Sequence, residues 1–472
     1  MTLPRSTSTS WVPGENDVHT YKAAAETGSL AKGNYFIAVD PGTYSGGLKV
    51  VCSDGFGQEY HKSSTNPLEA AVGGIKNLGT VSNGTPWRYY RITDDKKVYA
   101  SQQALLSDTG LLNGLDSFTS LLVNLFLNSN FPNRDTISVK AISYTYRSAD
   151  PQGKPVELSA LLYIRKTILG GNQKLSGITL ANHGTIAANK ECPTNKAQYE
   201  GAFAWKGYAI VMPDYYGFGF SKDRPQAYLD AETTARGNID AYFAAVQLMT
   251  DLGVDLTGAN DNLLSFGYSQ GGFNSMANLK YATEHPELGV TFKKVMCGGS
   301  PFDVLLTYEQ YLEGHYRNAI GFVPMTVVSM NESQKLNIPY DHLFKKPLLD
   351  NWQSWILSKD KTLTEINTLL GTEDLSEVMA EEMIAMTGSY SEKILATANR
   401  YSLKSGWTAM PASTTKIILY HSSEDDTVPS DNLQAMTDYF DKNNVQYEHT
   451  LAANGGHVNA CISFIQNNIK EW

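Results

Sequence analysis

The run Leu263-Leu264-Ser265-Phe266-Gly267-Tyr268-Ser269-Gln270-Gly271-Gly272 decides how the chain is read. A short apolar stretch enters it and a G-x-S-x-G pattern turns it. Residues 271–284 leave it with apolar positions at three- and four-residue spacing, the mark of a helix with one buried face. A strand that turns sharply into a helix strains the backbone at its apex, and glycines two residues to either side leave room for the crowding. The apex is Ser269, and its hydroxyl is expected to stand exposed above a sheet with a helix N-terminus behind it, not to act as a helix cap.

Outward from this turn the chain alternates short apolar runs with helical stretches, the pattern of a mainly parallel sheet covered by helices. Strands are expected at 137–146, 157–165, 178–181, 208–212, 263–266, 293–297, 416–420 and 446–451. Helices are expected at 195–206, 231–252, 271–284, 430–442 and 458–469. The first two strands alternate and are joined by A-D-P-Q-G-K, which reads as an antiparallel hairpin. Those that follow are short and continuously apolar, as strands buried on both faces are.

A serine hydroxyl is a weak nucleophile and needs a base that is itself held by an acid. Both follow in order. H-S-S-E-D-D-T-V-P comes after the strand at 416–420, and N-G-G-H-V-N-A leads into the last helix, so the candidates run Ser269, Asp425, His457. A histidine at a helix start is disfavoured as a cation, and a neutral imidazole is what a general base requires.

Taken together, N-H-G-T at 182–185, P-D-Y-Y-G-F-G-F-S at 213–221, G-Y-S-Q-G-G, H-S-S-E-D-D-T-V-P and G-G-H-V-N-A resemble the α/β-hydrolases, and more narrowly their secreted lipase/esterase branch. The resemblance runs from about Thr136 to the C-terminus. It implies an α/β protein with the α/β-hydrolase fold: a mostly parallel sheet flanked by helices, with a helical cap insertion and a small N-terminal β-rich module. By that reading residues 1–132 form the module, 133–300 and 412–472 the core, and 301–411 the cap, whose methionines Met325, Met330, Met379, Met383 and Met386 could line a pocket or pack within the cap. The implied chemistry is hydrolysis of a carboxylic ester, in a small molecule or linked to a polymer, and it calls for no metal or organic cofactor.

Ser269 would be the nucleophile, His457 the base and Asp425 the acid, selected from Glu424, Asp425 and Asp426 by D-x-x-V-P. Asp303 is its rival, because some members take the acid from the earlier strand. Ser422 departs from the family's usual glycine. The oxyanion donors would be the backbone N–H of Gln270 and, from the loop after Asn182, that of Thr185. His183 and His421 are placed by the family pattern as structural hydrogen-bonders. Other readings stay open: an acetyl or feruloyl esterase with a glycan-binding N-terminal module whose Trp87, Tyr89 and Tyr90 stack on sugars, a serine peptidase of the same fold, or a binding protein that keeps the fold without turnover.

Composition narrows the field further. The 472 residues are 42% hydrophobic and 18% charged, with 27 Tyr, 17 Phe and 7 Trp, ample for packed cores and unlike a disordered chain. A net charge of −10 opposes binding to phosphate backbones. The longest apolar stretch, 121–127, is far short of a membrane span. The first ten residues lack the profile of an export signal, which leaves export undecided, although the resemblance suggests secretion or a periplasmic location. Cys52, Cys192, Cys297 and Cys461 lie far apart with no C-x-x-C. They read as buried free thiols or, if the protein is exported, one or two bridges.

Overall fold

The structure is a computed structural model that describes residues 42–44, 48–53, 58–64, 68–70, 86–110, 126–131 and 134–472. The chain divides into two compact units, Met1–Tyr89 and Tyr90–Trp472. In the first, β1 (Gly42–Tyr44) pairs antiparallel with a later strand, β2 (Leu48–Ser53) pairs with β3 (Gln58–Ser64), and β4 (Leu68–Ala70) is the partner of β1. β5 (Pro86–Arg88) adds to β3. Within residues 1–132 the sequence also suggests strands at 33–39, 47–52 and 87–92 and a helical run at 115–127; 33–39 and most of 115–127 lie outside the described residues, as do the side chains of Cys52 and Trp87.

The second unit is built on a ten-stranded sheet. Its strands are β6 (Tyr90–Asp94), β7 (Val98–Tyr99), β8 (Val139–Ala149), β9 (Pro155–Arg165), β10 (Gly177–Asn182), β11 (Tyr208–Pro213), β12 (Leu263–Tyr268), β13 (Lys294–Gly298), β14 (Lys416–Ser422) and β15 (Glu448–Ala452). The spatial order is β15-β14-β13-β12-β10-β11-β9-β8-β6, with β7 also on β8. β8 and β9 form the expected hairpin, in register from Val139↔Arg165 to Ala149↔Pro155. Asp150 closes its turn by accepting the N–H groups of Gln152 and Lys154. β11 lies antiparallel to β9, and every pair from β11 through β10 and β12 to β15 is parallel. β6 is therefore a sheet strand, although the sequence suggests a separate module as far as 132. Tyr90 on it donates its hydroxyl to Asp251 at 2.7 Å.

The central strands β10, β11 and β12 are buried along their whole length, which explains their mostly apolar sequences. Helices α1 (Ala231–Asp251) and α2 (Gln270–Glu284) cover one face, and that apolar core continues into the insertion after β13. Asp230 caps α1 by accepting the Thr233 N–H. Within the insertion run α3 (Val304–Leu312), α4 (Phe322–Ser333) and further helices as far as Ser389–Tyr401. After β14 comes α5 (Asp431–Lys442), and the chain ends with α6 (His457–Asn468).

The other face carries a second core in which Phe266 stacks on Phe464, and Trp472 stacks on Phe203 with ring centroids 4.1 Å apart. The helix expected at 195–206 is a 3₁₀ helix over Tyr199–Lys206 on this face, where Gly201 backs onto the Tyr163 ring. Cys192, Cys297 and Cys461 are free. No helix among the described residues is long and apolar enough to cross a membrane.

One consequence of the strand order positions the site. From β10 the chain moves to β11 on one side and then crosses to β12 on the other, so the C-terminal ends of β10 and β12 diverge into a crevice. The loops after β10, β12, β14 and β15 all leave from that edge.

Candidate active site

Ser269 sits between β12 and α2 at φ 59° and ψ −125°, a left-handed conformation that a residue with a side chain rarely adopts. Strain of this kind costs about 1–3 kcal/mol and persists only where the surroundings over-determine it. Here they do. The Ser269 N–H donates to the Gly298 carbonyl at 2.8 Å, and its own carbonyl accepts from Gly272 and Phe273 at 3.0 and 3.1 Å. A Cβ on Gly267 would overlap the Gly271 backbone, and one on Gly271 would overlap the Asn182 carbonyl oxygen. The motif glycines thus let β10, β12 and α2 meet at backbone distance. Among the described residues the Ser269 hydroxyl has no hydrogen-bond partner, and its residue is only partly buried.

His457 is the first residue of α6, and three neighbours hold it. Its ring Nδ1–H donates to Asp425 Oδ2 at 2.7 Å, its backbone N–H to Asp426 Oδ1 at 3.0 Å, and its carbonyl accepts the Tyr268 hydroxyl at 2.8 Å. The imidazole lies tilted against the Tyr268 ring, centroids 4.9 Å apart. Behind it, Ser422 donates its hydroxyl to the Gly455 carbonyl and Glu424 accepts the Gly455 N–H, each at 2.7 Å. With Nδ1 donating to a carboxylate, Nε2 is left with the lone pair.

The Asp425 carboxylate is completely buried. Oδ1 accepts the N–H groups of Thr427 at 3.0 Å and Val428 at 2.8 Å, so the D-x-x-V spacing makes a tight turn around the acid. His421 Nε2 approaches Oδ2 at 3.5 Å while donating to the Val428 carbonyl at 3.0 Å. Burial by itself would raise this carboxyl. Hydrogen bonds and charge from His421 and His457 outweigh that and hold it well below the usual carboxylate range. Asp303 is occupied elsewhere: it caps α3 through Leu306, accepts the Ser402 hydroxyl at 3.0 Å and pairs with Lys404.

Gln270 opens α2, and the first N–H groups of a helix have no partner within it, so this donor is available above the elbow. The loop after β10 lies against the end of β12. Thr185 in that loop shares a 2.9 Å hydrogen bond between its hydroxyl and that of Tyr228. His183 donates to the Gly184 carbonyl at 2.7 Å and stacks on Tyr215, whose hydroxyl returns to the His183 carbonyl at 3.0 Å. Burial pushes His183 down to about 4, so it stays neutral.

No family model matches the chain, and no curated protein matches it in sequence. Among solved structures, the rice cell wall degrading esterase LipA from Xanthomonas oryzae aligns with a TM-score of 0.62 at 19% identity, covering 81% of this chain and 95% of that one. Lipase A from Candida antarctica aligns with a TM-score of 0.52 at 14% identity, covering 70% and 74%. The chain has the α/β-hydrolase fold.

In this fold the crevice at the switch in strand order becomes a cleft open to solvent. Core residues Ser269, Tyr228, Leu229 and Val428 line one side; Val304, Tyr308, Tyr311, Phe322 and Val323 of the insertion line the other. The insertion's methionines do not line it: Met325, Met330, Met379 and Met383 are fully buried in the apolar core. Sequence reading also missed Tyr268, whose hydroxyl holds the His457 carbonyl, because nothing local marks that long-range contact. A buried amide network beneath the elbow was missed for the same reason. In it, Asn182 donates to Ser275 at 2.9 Å and accepts from Asn238 at 2.9 Å.

Proposed function

We propose that the chain is a serine hydrolase that cleaves carboxylic esters through an acyl-enzyme on Ser269. The observation that carries this reading is the 2.7 Å hydrogen bond from His457 Nδ1 to Asp425, in a fold whose left-handed apex serine has a hydroxyl with no partner among the described residues. The fold is shared with a rice cell wall degrading esterase and with a lipase.

In the proposed mechanism Ser269 Oγ attacks the ester carbonyl carbon and its proton passes to His457 Nε2. The ionised Asp425 stabilises the imidazolium and keeps the ring turned. The tetrahedral oxyanion is met by the Gln270 N–H at the head of α2 and by a second N–H from the Thr185 loop, each donor contributing about 3 kcal/mol. Collapse expels the alcohol, which takes the proton back from His457. Water then repeats the sequence on the acyl group, with His457 again as base.

A panel of nitrophenyl esters from acetate to palmitate, run beside acetylated and feruloylated saccharides, tests the reading. The wild type is expected to turn over members of the panel. Ser269→Ala, with an unchanged thermal midpoint, is expected to lose about a thousandfold or more of kcat/KM. Full turnover by that variant would exclude the mechanism.

A further inference from the structure

Seven hydroxyl-bearing residues line the cleft: Tyr228, Ser269, Thr307, Tyr308, Tyr311, Thr326 and Thr427. Five of them are committed. Tyr228 bonds Thr185, Thr307 donates to the Asp303 carbonyl, Tyr311 to the Thr427 carbonyl, Thr326 to the Phe322 carbonyl and Thr427 to Asp426. Ser269 and Tyr308 are not. The Tyr308 hydroxyl is buried and has no hydrogen-bond partner among the described residues, and Tyr308 as a whole is 4% exposed.

Tyr308 is on α3, the first helix of the insertion, where Val304, Tyr308 and Tyr311 share one face at i, i+4 and i+7 and all line the cleft. Around them Leu229, Phe322 and Val323 are apolar. A phenol kept from water without a partner costs as much as a lost hydrogen bond, and a ligand atom that supplies the partner recovers that cost. Ser269 lines this cleft and His457 does not. The leaving oxygen has to depart beside the imidazole that protonates it, so the cleft takes the other half of the ester, the acyl chain.

Resting on the reading of Ser269 as nucleophile, we propose that Tyr308 is a specificity-determining residue whose hydroxyl donates a hydrogen bond to an oxygen carried along the acyl chain. The preferred substrates are then esters whose acyl groups bear an ether, hydroxyl or carbonyl oxygen away from the scissile carbonyl. Plain alkanoates of the same length leave the phenol unpaired and are turned over more slowly.

The test pairs nitrophenyl alkanoates with isosteric analogues in which one methylene is replaced by an ether oxygen at successive chain positions, assayed with wild type and Tyr308→Phe. Intrinsic reactivity cancels in the quotient of the two enzymes' oxa/alkanoate ratios of kcat/KM. At one chain position that quotient is expected to reach about tenfold, while Tyr308→Phe keeps its thermal midpoint. A quotient near one at every position overturns the proposal, as does a lowered midpoint, which would give the hydroxyl a structural partner. If the esters are cleaved and the quotient is flat, only this inference falls. If the wild type cleaves none of them, the ester-hydrolase reading falls with it.

Discussion

Asp426 accepts the backbone N–H of His457 at 3.0 Å, while its neighbour Asp425 accepts the ring Nδ1–H of the same histidine at 2.7 Å. Two consecutive carboxylates thus grip one residue at two points, and Glu424 holds Gly455 two residues before it. Within the acidic triplet one side chain orients the imidazole, and the other two anchor the loop that presents it. A carboxylate at the head of α6 is also favoured by the helix dipole, which suits Asp426 to its place.

These separate roles give a ranking. Asp425→Asn is expected to lower kcat/KM on a nitrophenyl ester by about ten-thousandfold, because the imidazole loses its partner and its tautomer. Asp426→Asn removes only alignment and is expected to cost about tenfold. Asp303→Asn is expected to leave kcat/KM near wild type and lower the thermal midpoint, since it weakens the cap on α3 and the pairing with Lys404. Steady-state kinetics and melting curves on the three variants decide it, and an Asp303 variant more impaired in turnover than the Asp425 one would move the acid.

Tyr268 precedes Ser269 and holds the His457 carbonyl, so it ties the proposed nucleophile to the proposed base. In Tyr268→Phe the ring remains and the bond is lost. Stability is expected to fall by about 1 kcal/mol, and kcat by about tenfold with KM little changed. Equal losses in kcat and in binding of an unreactive ester analogue would instead make Tyr268 part of the substrate pocket.

Glu200, in the 3₁₀ helix of the aromatic face, is fully buried, and burial pushes its carboxyl up to about 7 from 4.5. A carboxyl with a raised folded-state value contributes stability that is complete below about 4.5 and is lost as the pH rises, levelling above about 7. Glu200→Gln removes that loss. Its stability advantage over wild type is expected to grow across this window to on the order of 3 kcal/mol. Denaturant melts at a series of pH values read it out, and an advantage that stays flat across the window would contradict a buried, proton-holding carboxyl. Asp425 has the opposite sign: its lowered value stabilises the fold above the usual carboxylate range, a contribution lost as the pH falls through its folded-state value.

What the sequence reveals here is what local spacing can encode. The elbow is legible because its glycines and serine lie within five residues, although part of the crowding they relieve is against the remote backbone of Asn182. Asp425 is legible because the turn that wraps it uses the N–H groups two and three residues on. The hairpin, the buried strands and the last two helices follow from periodicity. Tyr268 and Asn182 escape because their partners are remote in the chain. Tyr308 escapes because a Val304-Tyr308-Tyr311 stripe has the same spacing whether it faces a packed core or a cleft. The insertion's methionines illustrate the converse, since polarizable side chains suited to a pocket wall are equally suited to fill a core.

The most direct measurement is covalent capture of the nucleophile. Diisopropyl fluorophosphate is incubated with the protein at neutral pH, and the adduct is located by peptide mass spectrometry. One phosphoryl group per chain on Ser269 is expected, forming far more slowly in His457→Ala and not at that site in Ser269→Ala. Labelling of another residue, or none under conditions in which the wild type still turns over an ester, would contradict the assignment of Ser269 as the reacting group.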